Sequence, residues 1–455
     1  MLNETKMKKK KMQAYFSKGE LMVWIPYAIA FYVFIIRRSL QISHDHFSKL
    51  YGLRPGWLFS PQSLNDVSDA QWRNFRSNLP ILTVVFILFA VLANTFRTFF
   101  NLKARGMSIL WLFISFIYLF YLHGACVIFI LSIASLNFLL VKSFARRNCF
   151  PFLLWIFNIF FLIFNRVYEG YSFSIFGQHW AYLDNFRGTF RWHICFNFVI
   201  LRMISFGYDY HWAQQGSHFD HEKHVQRCHV CKSGKLCYQI QQERNISENY
   251  ALAMYLCYLV YAPLYISGPI ISFNAFASQI CGIEAPENMP RCVNNCHNLE
   301  TFWKNWHASF NKWLVRYMYI PLGGSQKKLY NIWAIFTFVA VWHDLEWKLL
   351  SWAWLTCLFF IPEMVVKSAA DSFQAESAFG RFLVRELRAF AGSITITCLM
   401  IANLVGYVIG PSGVNWLMSQ FLTREGLPVL GGMFLTFYVG TKLMFQISDA
   451  KQRKQ

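Results

Sequence analysis

The feature that limits this chain most is its succession of apolar runs about as long as a bilayer is thick. A helix needs ~20 apolar residues to cross the hydrocarbon core. Runs that reach or approach that length lie at roughly 21–36, 80–97, 107–122, 124–141, 150–165, 192–208, 250–275, 331–346, 347–366, 389–410 and 428–446. A composition of 55 % hydrophobic, 19 % aromatic and only 15 % charged residues points the same way. Backbone groups in lipid must be satisfied within the spanning segment, so these runs should be helices. The expected fold is all-α, a polytopic transmembrane helical bundle of about 11–12 membrane elements.

A net charge of +20, from 43 Lys and Arg against 23 Asp and Glu, would suit nucleic acid in a soluble protein. Here the basic residues fall in short clusters between apolar segments, where membrane topology accounts for them, and no nucleic-acid partner is expected. Residues 1–20 form a basic tail, with Lys6 and Lys8 to Lys11, ahead of an apolar segment from Leu21 to Ile36 closed by Arg37 and Arg38. No small-residue cleavage site follows, so a retained span is expected rather than a removed signal peptide. The membrane domain should cover 21–446, with a second basic tail at 447–455.

Counting forward from a cytosolic tail puts Arg97/Lys103/Arg105, Lys142/Arg146/Arg147 and the 209–249 loop in the cytosol. Counting back from a cytosolic carboxyl end puts Lys327/Lys328 and Lys367/Arg381/Arg385/Arg388 there too. The counts agree only if the chain crosses an odd number of times between about 276 and 325. The available stretch, Phe302 to Gly324, is aromatic but carries Lys304, Asn305, His307, Asn311, Lys312 and Arg316. Polar backbone at membrane depth is tolerated where protein covers it or water fills a cavity, so a buried or re-entrant element is expected. His343 then falls near the lumenal end of its helix.

Four groups of residues could carry chemistry. In the segment from Phe302 to Trp313, a helix would put Trp303, Trp306, Phe310 and Trp313 at core spacing, with Asn305 and Ser309 four apart on a neighbouring face. Such a stripe is often plain packing, but its density of hydrogen-bonding groups in an apolar setting suggests a cavity wall. The second group is Trp342-His343-Asp344. An imidazole in a partly dry cavity can take a proton from an acceptor hydroxyl or amine and return it to a leaving group, whereas an interfacial histidine beside a tryptophan is the bland alternative. Acyl transfer from a thioester needs little more than positioning and a donor for the carbonyl oxygen, which Asn305 or His307 could supply.

The third group runs from Arg191 to Asp209, where Arg202, Ser205 and Asp209 repeat on one helical face. Arg202 could hold phosphates of a nucleotide-bearing donor, or with Asp209 satisfy polar groups between helices; intramembrane charge favours the second role. The fourth is the cytosolic loop with His218, His221, His224, Cys228, His229, Cys231 and Cys237. His224, Cys228, Cys231 and Cys237 have the inventory of a zinc site, although no second Cys-x2-Cys or His-x3-His pair accompanies them, and a reduced loop is the alternative. The twelve cysteines are otherwise scattered and should be thiols. Tyr261-Ala262-Pro263 with Gly268-Pro269 should kink a covered helix, and the sequon Asn245-Ile246-Ser247 would stay unmodified in the cytosol.

Five motifs, in order, resemble the membrane-bound O-acyltransferase family, in the branch holding hedgehog acyltransferase and the fungal glycerol-uptake and GPI-remodelling proteins. They are Arg191-Trp192-His193 through Tyr210, Tyr261-Ala262-Pro263 with Gly268-Pro269, Trp306-His307-x-Ser309, Tyr319-Ile320-Pro321-Leu322-Gly323-Gly324, and Trp342-His343-Asp344. The resemblance implies acyl transfer from acyl-CoA to a lipid or protein acceptor at the endoplasmic reticulum, with no cofactor required for catalysis. It makes His343 the general base and puts the second polar position within Asn305 to His307. Trp306, Ser309, Arg202, Trp342 and Asp344 become substrate-binding candidates. Hedgehog-type members resemble an Asp where this chain has His307, which favours a lipid acceptor of the lyso-GPI or glycerolipid type over a protein. Cys292, by resemblance alone, is a heme-ligand candidate.

The resemblance also implies about two further spans before Pro290, where only Asn274 to Met289 remain, too few for one. Two other readings follow from the residues: a transporter such as a glycerol carrier, since polar groups buried in a bundle serve transport too, or a shortened, inactive homologue that binds partners.

Overall fold

Nearly every apolar run is helical in the computed structural model, which describes residues 18–49, 52–55, 64–67, 70–216, 221–233, 237–243, 250–292, 296–372 and 377–454. The Lys6–Lys11 run, His218 and the Asn245 sequon lie outside the described residues. Eight described helices are long and apolar enough to cross a membrane: Gly19–Asp45, Trp72–Thr98, Ala104–His123, Val127–Phe144, Phe150–Val167, Trp347–Ser368, Phe379–Val408 and Gly426–Ser448.

Three expected spans turn out differently. The 192–208 run is the helix Trp192–Gln215, which carries Arg202 and Asp209 and is buried along most of its length by protein. The 331–346 run is Lys328–His343, only 16 residues, and its last residue is the histidine. The 250–275 run is no single kinked helix but three short ones, Leu252–Val260, Ala262–Tyr265 and Phe273–Ser278. Pro263 and Pro269 lack the N–H that would continue the ladder, and Gly268 adopts φ +130°, so the helix cannot run through. Tyr261 and Tyr265 are buried there, as a covered break requires.

The chain forms two compact units. The first, Met1–Leu102 with Leu435–Gln455, holds the helices Lys18–Asp45 and Ala70–Thr98, with Leu53–Pro55 pairing antiparallel to Leu64–Asp66 between them. Both helices extend beyond the apolar runs 21–36 and 80–97 into the stretch between them. The final helix, Gly426–Lys454, takes in most of the basic 447–455 tail. The second unit, Lys103–Phe434, holds every candidate site residue.

Candidate active site

Two structural breaks and one helix end bring the candidate residues together. The helix Leu299–Asn305 begins on Asn298, whose side-chain oxygen accepts from Thr301 N at 2.7 Å, and stops at Trp306. His307 then takes φ +46°, and a second helix, Ala308–Leu314, starts. The left-handed region is costly for a residue with a Cβ and persists only where the surroundings enforce it. Asn288 enforces it: its carbonyl accepts from Ala308 N at 2.8 Å, and its side-chain oxygen accepts from Ser309 N at 3.2 Å and Ser309 Oγ at 2.7 Å. Its amide nitrogen also lies 3.3 Å from His307 Nδ1.

The break overturns the continuous stripe expected across 302–313. Trp303 packs against Phe336 and Trp352, whereas Phe310 and Trp313, beyond the break, pack against Trp342 and Phe338. Asn305 and Ser309 are therefore not neighbours on one helical face.

From the other side, the helix Lys328–His343 is fixed at its end. Trp342 donates its indole N–H to the Asn197 carbonyl at 3.0 Å, and the Asn197 amide donates to the Trp342 carbonyl at 2.6 Å. Arg166, in the last turn of Phe150–Val167, donates to the His343 carbonyl at 2.6 Å and pairs with Asp344 at 3.1 Å. The ring of Phe310 lies 4.8 Å from that of Trp342, so the helix that follows the His307 break packs on the helix that ends at His343.

The His343 ring is walled by Trp342, Trp352 and Tyr407, at 4.8, 6.4 and 6.1 Å between centroids. Tyr407 arrives on a π-helical turn, Leu404–Val408, a local form frequent at functional sites. Gly406 in that turn is required by close packing, because a Cβ there would sit 2.7 Å from the Trp352 side chain. Both imidazoles, His343 and His307, are exposed.

Two cavities lie along the elements that meet at this helix end, and neither is lined by His343 itself. A polar one of about 510 Å³ is lined by Arg166, Glu169, Arg191, His193, Asp344 and Glu346, with three apolar residues between them. An apolar one of about 570 Å³ lies between the Phe150–Val167 and Lys328–His343 helices, bordered by Trp155, Leu162, Tyr317 and Val341.

Among the other candidates, Asn305 is half-buried and donates its amide to Thr301 O at 2.7 Å, and Trp306 stacks on Phe302. The Ser309 hydroxyl is committed: it donates to Asn288 and accepts from Ile270 N at 2.9 Å, so it supports the break. Arg202 stands apart from His343. Its buried guanidinium donates to the carbonyls of Leu259, at 2.6 Å, and Leu264, which the break at Tyr261 leaves without helical partners. That is the structural of its two roles. Cys292 is an exposed thiol on the loop that precedes Asn298, while His224, Cys228, Cys231 and Cys237 gather in a separate cluster.

Asn288, Asn197 and Arg166 were not singled out by the sequence. Arg166 did carry a signal, as a basic residue closing a span on the side expected to be lumenal, where topology gives it no reason to be.

Comparison with known proteins covers these same elements. A model of the membrane-bound O-acyltransferase family matches residues 275–402, from the third short helix through the helix that precedes the π turn at Tyr407. The chain is 29 % identical over 491 residues to membrane-bound O-acyltransferase gup1 of Schizosaccharomyces pombe, covering 87 % of this chain and 82 % of that protein. It is 27 % identical over 494 residues to GUP1 of Saccharomyces cerevisiae (88 % and 85 %). It is 28 % identical over 165 residues to the protein-cysteine N-palmitoyltransferase HHAT of Mus musculus (34 % and 33 %). Since 87 % of 455 residues is about 396, roughly 95 of the 491 positions aligned with gup1 have no residue from this chain, room enough for two spans and their loops. The chain is thus similar along most of its length to relatives that bear the name membrane-bound O-acyltransferase, and the elements that carry His307 and His343 match that family's model.

Proposed function

We propose that the protein moves a fatty acyl group from acyl-CoA to the hydroxyl of a lyso-GPI or glycerolipid acceptor in the endoplasmic reticulum membrane, with His343 as general base. The observation that carries this reading is the pair of exposed histidines, His343 at a helix end and His307 at the break, with a polar cavity beside the adjoining Asp344 and an apolar one along the helix that leads to His343. The apolar cavity suits the acyl chain. Arg166, Arg191 and His193 in the polar one suit an acceptor with a phosphate head group.

In the reaction, His343 takes the acceptor hydroxyl proton as the oxygen attacks the thioester carbonyl. His307, or Asn305 through the second N–H of its amide, donates to the oxyanion of the tetrahedral intermediate. The carbon–sulfur bond then breaks and the imidazolium returns the proton to the departing thiolate of coenzyme A. Trp342, Asp344 and Arg166 act by positioning, since their contacts fix the backbone at His343.

Membranes containing the chain, given labelled acyl-CoA and a lyso-GPI or lysophospholipid acceptor, should form the acylated lipid, and His343→Ala should lower it by roughly 10²–10⁴. Transfer undiminished by the substitution would sink the role given to His343. The roughly 95 positions missing against gup1 favour a second reading, a site that lacks part of its wall and acts by binding. No transfer from this chain, but transfer once the relative's spans are restored before Pro290, would select it.

A further inference from the structure

We propose that His224, Cys228, Cys231 and Cys237 bind one zinc ion, and that this Cys3His site fastens the loop between Gly216 and Tyr250 to the membrane bundle. One ligand atom from each residue lies within 4.8 Å of the other three. Nε2 of His224 is 3.1 Å from Cys237 Sγ.

Local structure explains the convergence. His224 lies on the helix His221–Arg227, and Cys228 N donates back to the His224 carbonyl at 2.9 Å, so the turn continues and the two side chains share a face. Cys231 follows on His229–Lys232, and Cys237 immediately precedes Tyr238–Glu243. All three cysteines are free thiols. In a tetrahedral zinc site with Zn–S near 2.3 Å, ligand sulfurs stand about 3.8 Å apart, so the cluster needs to contract by only about an ångström.

The loop has reason to need a metal. Its three helices have 7, 4 and 6 residues, too short to hold in water by themselves. Its buried described residues, Cys231 and Ile240, are far too few for a core. Three thiolates and one neutral imidazole would give the complex a charge of −1, the three thiol protons passing to solvent on binding. Lys223, Arg227 and Lys232 supply positive charge in the same segment. Ile240 N already donates to Cys237 Sγ at 3.4 Å, the kind of outer contact that orients a thiolate ligand.

The Tyr238–Glu243 helix carries the effect into the bundle. The Tyr238 hydroxyl accepts from Ser272 N at 3.1 Å, the Gln242 carbonyl accepts from the Asn274 amide at 3.1 Å, and Glu243 pairs with Arg316. Zinc therefore holds one partner of the Arg316 ion pair in place from outside the membrane.

The test is metal analysis of the full chain, purified in detergent as a monodisperse species after growth with added zinc. About one zinc per chain is expected. Cys231→Ser should lose it at least tenfold, while Cys281→Ser, a thiol outside the cluster, should keep it. Cobalt in place of zinc should give thiolate-to-cobalt charge-transfer bands and tetrahedral d–d bands. Cys228→His, which preserves four ligands, should keep the metal with weaker charge transfer, so the result does not depend on any variant that fails to fold. Less than a tenth of a zinc per monodisperse wild-type chain, octahedral cobalt spectra, or unchanged zinc in Cys231→Ser would overturn the proposal. None of these readouts involves acyl transfer.

Discussion

The helix Trp192–Gln215 ends in two polar centres that are finished in opposite ways. Asn197, near its start, holds the His343 helix end; Asp209, twelve residues or about 18 Å further along, anchors the other centre. Both centres use a π-helical turn, Leu404–Val408 for Tyr407 and Val315–Tyr319 for Arg316 and Tyr317. The carboxylate of Asp209, which is 1 % exposed, is engaged on both oxygens: Arg316 at 3.4 Å, the Tyr317 hydroxyl donating at 3.0 Å, and Asn274 N donating at 3.0 Å. Ser205 donates to the Tyr317 hydroxyl at 2.8 Å and accepts from Phe273 N at 3.0 Å. Around His343 only the backbone is fixed, and among the described residues the ring is met by aromatic faces. A buried carboxylate engaged on both oxygens is committed to structure, whereas an exposed ring on an immobilised backbone is positioned and still available.

Substitutions at the two centres should therefore separate activity from stability. His343→Ala should lower acyl transfer by roughly 10²–10⁴, the usual contribution of a positioned acid–base group, with little change in thermal unfolding in detergent. Equal losses in both would erase the contrast. Arg316→Met should do the reverse, leaving the Asp209 carboxylate buried without its cation at a cost of roughly 3–5 kcal/mol. Adding Asp209→Asn should recover part of that loss. If the single variant unfolds like the parent, the pair is not what holds this end together.

Asn288→Ala should fall between the two. It removes the side-chain acceptor used by Ser309 and the contact to His307, costing roughly 1–3 kcal/mol, and frees His307 from its left-handed turn. Acyl transfer should fall further than thermal stability, and Asn288→Asp, which keeps the acceptor oxygen, should retain more of both. A purely thermal effect would remove His307 from the reaction.

What the sequence conveyed well was hydrophobic. Length and apolarity located most of the helices, because those signals lie in the residues that respond to them; prolines with glycine at 261–269 marked the irregularity but were read as a kink in one helix, where the structure has three short ones. Charge asymmetry correctly isolated 302–324 as an element unlike a lipid-facing span. What it did not convey depends on distant partners. Nothing in Trp306-His307-Ala308-Ser309 forces a break, since no glycine or proline stands there; the turn is held by Asn288, about twenty positions away. For Arg202 buried charge favoured a structural role over a phosphate, but its partners, the Leu259 and Leu264 carbonyls, come from a distant part of the chain and could not be named. His224, Cys228, Cys231 and Cys237 were legible as an inventory but not as a cluster, because convergence depends on how three very short helices turn.

The smallest expected effect tests whether the His343 side is also rigid beyond the helix end. There the segment 172–187 is held by Asp184, whose carboxylate accepts from Ser172 Oγ at 2.6 Å, Phe173 N at 3.0 Å, Ser174 N at 3.2 Å and Arg187 Nη2 at 2.6 Å. Burial alone would raise this carboxyl, but those hydrogen bonds hold it well below the usual carboxylate range. A folded-state value below the unfolded one stabilises the segment at every pH above the unfolded value near 4, and the stabilisation fades as the pH falls below it. Protection of the backbone amides in 172–187, relative to their intrinsic exchange rate at each pH, should thus fall from about pH 4 downward while the Trp192–Gln215 helix stays protected. Asp184→Asn should cost about 1 kcal/mol, as losing a charged cap does, and should flatten the pH dependence. Protection in this segment that ignores both pH and the substitution would mean that the firmness of the His343 side ends at Arg166 and Asn197.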